Sequence, residues 1–162
     1  MGKNQKNNQK RKINVPGNLS EIESYLKQSK TYLGAVFVSS FKKILLKAQE
    51  YSLICYCKSQ WFCIYSSKNT FEIFDPSGFF KKAKDLNKKF INFLKTHIQS
   101  KILYCNPKIQ SDNSEMCGLY IIFFIRMREI GYTFLDILRK FTKDYQKNDS
   151  LVKKYVKKIY SR

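Results

Sequence analysis

Cys117 stands directly before Gly118 and a long apolar run, in the stretch EMCGLYIIFFIRMREI that fills residues 115–130. The run reads as a buried helix, so the thiol falls at a helix N-terminus. There the positive end of the macrodipole favours a thiolate, and the thiolate is the nucleophilic form. Gln110 lies seven residues earlier, in the loop leading to the cysteine. Gly118 lets a backbone approach closely and leaves its N–H available. A side-chain amide and a backbone N–H converging on a thiol can stabilise a developing oxyanion. Asp75 ends a strand in FDPSG, where a carboxylate could orient a base, and Trp61 opens the strand before it. A lone cysteine reads first as a buried structural one. Gln110, Gly118 and Asp75 shift the reading toward a cysteine nucleophile with an oxyanion hole.

These residues need a scaffold. Ser20 with Glu23 has the spacing of a capping box and predicts a short helix to about Gln28. YLGAVFVSSF predicts an extended segment across the core, and FKKILLK a short helix. YSLICYC, WFCIYSS and TFEIFD are short, aromatic and β-branched, and read as strands. Ser67-Lys68-Asn69 predicts a hairpin turn, and Asp75-Pro76-Ser77-Gly78 a sharp stop. Residues 80–98 carry apolar side chains at helical spacing with six lysines between them, and KILYC reads as another strand. The helix from Cys117 to about Ile130 is apolar on nearly every side and should be central, ended by Gly131. Two Lys-rich amphipathic helices are expected at about 134–146 and 149–160. The order predicts an α+β fold, a small mixed β-sheet packed by helices. Residues 1–17 hold five Lys/Arg and no acid, and are expected to form a disordered basic arm before a single domain at 18–162.

The element Q-(six residues)-C-G-L-Y, after a strand ending F-D-P-x-G and a strand opening with Trp, resembles the adenovirus-type maturation cysteine proteases, adenain. It resembles too the wider clan of ubiquitin-like-protein proteases and the proteases of Polinton-like elements. SEIESYL with YLGAVF is similar to the family's N-terminal segment, and NDSLVKKYVKKI to its last helical region, so the resemblance spans about residues 20–160. It implies a papain-like fold with Cys117 as nucleophile, Gln110 and the Gly118 backbone at the oxyanion, Asp75 as the orienting acid, and Trp61 beside the substrate cleft. The family's catalytic histidine directly precedes the tryptophan. Here that residue is Gln60. A glutamine amide does not titrate near neutral pH and cannot act as general base. Losing the base costs on the order of 10⁴–10⁶ in rate. The resemblance therefore implies a degenerate viral endopeptidase homologue. The alternatives are an endopeptidase with a non-standard base, or a deSUMOylase- or deubiquitinase-like enzyme. His97 lies on the apolar positions of an amphipathic helix and reads as a core or boundary histidine, not a substitute base. Cys63, on the WFCIY strand, reads as core.

The formal net charge is +19, well beyond what solubility needs. Such a surface attracts polyanions, nucleic acid first. The resemblance adds DNA as a non-covalent cofactor, small-residue cleavage sites in structural precursors, and an activating peptide as a partner. Cys105 is not assigned the family's peptide-anchoring role, because its surroundings do not match. Five cysteines, an odd number, and no apolar leader point to free thiols in a reducing setting, and with the resemblance to a host nucleus or virion. A metal site is not expected, since Cys55-x-Cys57 has the wrong spacing for zinc and His97 is the only histidine. The longest apolar run is too short to span a membrane. The start Met1-Gly2-Lys3 lacks the Ser or Thr that a myristoylation signal wants at residue 6. A monomer is expected.

Overall fold

The computed structural model describes residues 18–38, 50–57, 60–68, 70–79, 84–105 and 107–160. The basic arm at 1–17 and the short helix expected in FKKILLK lie outside them, as do the side chains of Cys57 and His97. The fold is α+β. Helix α1 (Leu19–Leu26) is followed by strands β1 (Tyr32–Phe37), β2 (Tyr51–Cys57), β3 (Gln60–Ser66) and β4 (Thr70–Phe74), and then by α2 (Lys84–His97) and β5 (Lys101–Tyr104). Three helices close the chain: α3 (Cys117–Glu129), α4 (Phe134–Leu138) and α5 (Tyr145–Tyr160).

The five strands lie in sequence order. β1 runs parallel to β2, β3 is antiparallel to both of its neighbours, and β5 runs parallel to β4. Alternation splits the sheet residues between two cores. Ile54, Cys63, Tyr65 and Phe74 face α3, whereas Leu53, Cys55, Phe62, Ile64, Phe71 and Ile73 face α2 through Phe90 and Leu94. Helix α3 buries Gly118 to Ile125 and Met127, which is why its sequence shows no polar stripe. Phe124 stacks on Phe74 with ring centroids 4.3 Å apart and meets Tyr65 edge-on. Truncating such a ring to alanine costs about 3–5 kcal/mol. The helix ends at Glu129, and Gly131 takes φ +95, a conformation that glycine adopts without strain.

Three helix boundaries differ from the sequence reading. The cap of α1 is Asn18, whose side chain accepts from Glu21 N–H at 3.0 Å, so the Ser20/Glu23 box does not form. The earlier start places Ile22 and Leu26 on one buried stripe. The helix expected at about 134–146 is only the short α4, capped by Thr133. Asn148 explains the break: its Oδ1 accepts from Thr142 N–H at 2.9 Å and its Nδ2 donates to Thr142 O at 2.9 Å. That side chain holds the backbone after α4 away from helical pairing. Asp144 then accepts from Lys147 N–H at 3.1 Å, so α5 begins at Tyr145 rather than near 149.

Candidate active site

The turn after β4 carries Asp75. Its Oδ1 accepts from the Ser77 N–H at 3.2 Å and from the Ser77 hydroxyl at 2.8 Å, an Asx turn. Gly78 completes the turn at φ +68, and its N–H donates to Asp75 O at 3.3 Å. A Cβ at Gly78 would sit 3.2 Å from Lys108 Cβ, so the loop from β5 to α3 packs closely on this turn. The Pro76 carbonyl accepts from both Ile109 N–H and Gln110 N–H at 3.0 Å. Two backbone hydrogen bonds therefore dock the segment carrying Gln110 onto the turn carrying Asp75.

Gln110 is fully buried, and its Nε2 donates to Ser114 O at 2.6 Å. The loop folds back there, and Tyr120 N–H donates to Met116 O at 3.1 Å as α3 begins. Met116 offers no side-chain cap. Cys117 is the first helical residue and is half-buried, with a free thiol. The structure thus brings Cys117, Gln110 and Asp75 to one place, with Gly118 buried as the next residue of the helix.

The electrostatics do not favour a thiolate. Burial raises the Cys117 pKa, and the nearby Asp75 and Asp149 carboxylates raise it further. A hydrogen bond from Gln110 and the cysteine's own backbone N–H oppose this but do not win. The sequence reading has the helix N-terminus favouring a thiolate; the structure shifts the thiol the other way. Cys105 lies beside Asp75 too. Burial, then Asp75, push its thiol up to about 12. Cys55 and Cys63 are fully buried and also shifted well upward, so both are core residues.

Gln60 is the first residue of β3, paired with Cys57. Strand alternation groups it with Phe62 and Ile64 on the α2 side, whereas Trp61 shares the α3 side with Cys63 and Tyr65. Trp61 is half-buried and packs against Tyr56 with ring centroids 4.8 Å apart. Tyr56 in turn meets exposed Phe37, so an aromatic row crosses three strands at the Asp75 end of the sheet.

His97 closes α2, on the opposite face of the sheet from α3. The chain then enters β5 at Lys101, which pairs with Thr70, the start of β4. Asp75 lies past the other end of β4, five residues along at roughly 3.3 Å each. The topology thus sets the backbone of the one histidine at the far end and far face from Cys117.

Sequence reasoning missed Asp149, Tyr120, Ser114 and Asn148. Tyr120 hydroxyl lies 2.9 Å from Asp149 Oδ1 and 3.2 Å from Ile109 O. Asn148 Nδ2 donates to Ile109 O at 2.8 Å. The available signal was a pair of short polar residues, Asn148-Asp149, interrupting a lysine-rich helix at its inner face. Among the described residues no group of three or more His, Cys, Asp or Glu could hold a metal ion, and no helix is long and apolar enough to cross a membrane.

No protein-family model matches the chain, and no curated protein matches it at a significant level. Among solved structures, it is similar to the ASFV pS273R protease at 18% identity, over 69% of this chain and 43% of that one, with a TM-score of 0.46. It is also similar to the central domain of the uncharacterized Lpg1148 protein from Legionella pneumophila at 12% identity, over 81% of this chain and 89% of that one, again with a TM-score of 0.46. The chain spans less than half the length of the first. At these scores neither likeness assigns an activity.

Proposed function

We propose that the chain is a degenerate cysteine endopeptidase homologue of the viral maturation type, with its hydrolytic site lacking a general base and its nucleic-acid binding retained. The observation that carries this reading is the separation of the Cys117 thiol from the backbone that bears the histidine. Cys117, Gln110 and Asp75 converge, while the only histidine sits on the helix behind the sheet, at its other end. Attack by the thiol requires its proton to leave, and expulsion of an amine requires a proton to arrive. Neither Gln60 nor Gln110 can exchange one at neutral pH. Asp75 and Asp149 hold negative charge near the sulfur, which opposes ionisation. What survives is a binding frame: a thiol, an amide donor and an aromatic row ending at Trp61.

The basic surface supports the second half of the proposal. Lys147, Lys153, Lys154, Lys157 and Lys158 of α5 are all exposed, on a chain of net charge +19. Such a face neutralises phosphates without reading bases. DNA would be a non-covalent cofactor and no metal is required. A viral structural precursor or an activating peptide is the protein partner this reading implies, in a reducing host nucleus or virion.

The test is cleavage of a panel of precursor-like peptides with Gly-Gly and Gly-X sites, with DNA present, by the unaltered chain, Gln60→His and Cys117→Ala. The unaltered chain should match the Cys117→Ala background. Cleavage by the unaltered chain that depends on Cys117 overturns the reading. Cleavage by Gln60→His alone assigns the missing base to residue 60, against the alternation of β3. Silence from every variant leaves binding as the function and moves the lost base elsewhere.

A further inference from the structure

Asp149 sits near the start of α5, half-buried, with both carboxylate oxygens engaged by groups of the candidate site. Oδ1 accepts from the Tyr120 hydroxyl at 2.9 Å, and Oδ2 accepts from the Ser114 hydroxyl at 3.3 Å. Both partners lead directly to the site. Ser114 Oγ accepts from Met116 N–H at 3.3 Å, and Ser114 O accepts from Gln110 Nε2 at 2.6 Å. Tyr120 lies one turn after Cys117, and its hydroxyl also reaches Ile109 O, next to Gln110. The neighbouring Asn148 holds the same Ile109 carbonyl. One carboxylate therefore ties the middle of the loop to the first turn of α3.

We propose that Asp149 is a positioning residue of the candidate site, holding through Ser114 and Tyr120 the segment that presents Gln110 and Cys117. This rests on the reading of Cys117 and Gln110 as that site, but its test does not require cleavage. The remaining acids of the neighbourhood do not share the role. Asp112 and Glu115 are exposed, Asp112 pairs with Lys108, and Asp144 caps the start of α5. The charged groups that act on the Cys117 thiol come from two elements, Asp75 at the end of β4 and Asp149 on α5, with neutral Gln110 donating from the loop. Removing the Asp149 charge should therefore be felt at the sulfur, which a purely structural residue would not produce.

The experiment follows iodoacetamide alkylation of Cys117 from pH 6.5 to 10, read by mass spectrometry on the peptide carrying it, in the full chain. Asp149→Asn keeps an oxygen acceptor and an amide that can donate to the Ser114 hydroxyl. It should lower the midpoint by about half a unit or more and speed alkylation at pH 7.5 by about threefold or more. Tyr120→Phe keeps the charge and cuts one tie. It should leave the midpoint in place and speed amide hydrogen exchange over residues 109–120 by about tenfold. An unmoved midpoint in Asp149→Asn, or unchanged exchange in Tyr120→Phe, overturns the proposal. If Asp149→Asn does not fold, the Tyr120→Phe exchange result decides by itself. Failure of the functional reading would appear only in the peptide assay, so the two failures are separable.

Discussion

Arg128 and Glu72 pin the far end of α3 to β4, and removing the arginine should leave a pH-dependent defect. Arg128 Nε lies 2.8 Å from Glu72 Oε2, with the two side chains 13% and 2% exposed. Neither atom has a better-aligned hydrogen-bond partner, so the contact is an ion pair first. The guanidinium also lies over the Tyr65 ring at 4.7 Å, and donates to the Tyr132 carbonyl. At an effective dielectric near 20, charges 2.8 Å apart attract by about 6 kcal/mol, most of it spent against desolvation. Stripping one partner from such a pair typically costs about 3–5 kcal/mol. Burial already raises the Glu72 pKa even with Arg128 beside it. In Arg128→Met the folded-state pKa climbs further. A carboxyl that binds its proton more tightly when folded loses stability as pH rises from its unfolded value toward its folded one. The defect should therefore be small at pH 4.5 and open by about 1.4 kcal/mol per unit once Glu72 ionises in the unaltered protein, until it ionises in the variant. Lost contacts to Tyr65 and Tyr132 form a pH-independent floor of about 1–2 kcal/mol. Urea unfolding of both proteins at pH 4.5 and 7.5 measures this directly. Adding Glu72→Gln to Arg128→Met should recover more than half of the loss at pH 7.5. A defect equal at both pH values, or no recovery in the double variant, refutes the reasoning.

At the other end of α3, Asp75→Asn should keep the Asx turn while removing a negative charge from beside the sulfur. The Cys117 alkylation midpoint should fall, and the rate at pH 7.5 should rise by about threefold or more; a midpoint that stays or rises contradicts the role given to Asp75. For nucleic acid, the five exposed lysines of α5 alone predict a slope near −4.5 in a plot of log K against log salt on duplex DNA. Equal affinity for unrelated sequences is expected, and a flat plot would remove nucleic acid as the partner.

The sequence by itself determined the element order, because its periodicities are unambiguous. Three short aromatic and β-branched runs became β2, β3 and β4, and the apolar stretch after Cys117 became the central helix. The thiol, the amide and the acid were legible for the same reason, each marking an element boundary: Cys117 a helix start, Asp75 a strand end, Gln110 the loop between. Local signals failed where a nearby side chain outside the expected motif took the backbone group. Asn148 ended the helix before it, and Asn18 outbid Ser20 as a cap. Only the tertiary structure decided the geometry of the candidate site. Docking of Ile109 and Gln110 on the Pro76 carbonyl, and the reach of Asp149 to Ser114 and Tyr120, join residues 29 to 35 positions apart, and no spacing rule anticipates them. The direction of the thiol's shift was hidden for the same reason. A helix N-terminus argues for ionisation, but burial and two carboxylates that folding brings to the sulfur outweigh it.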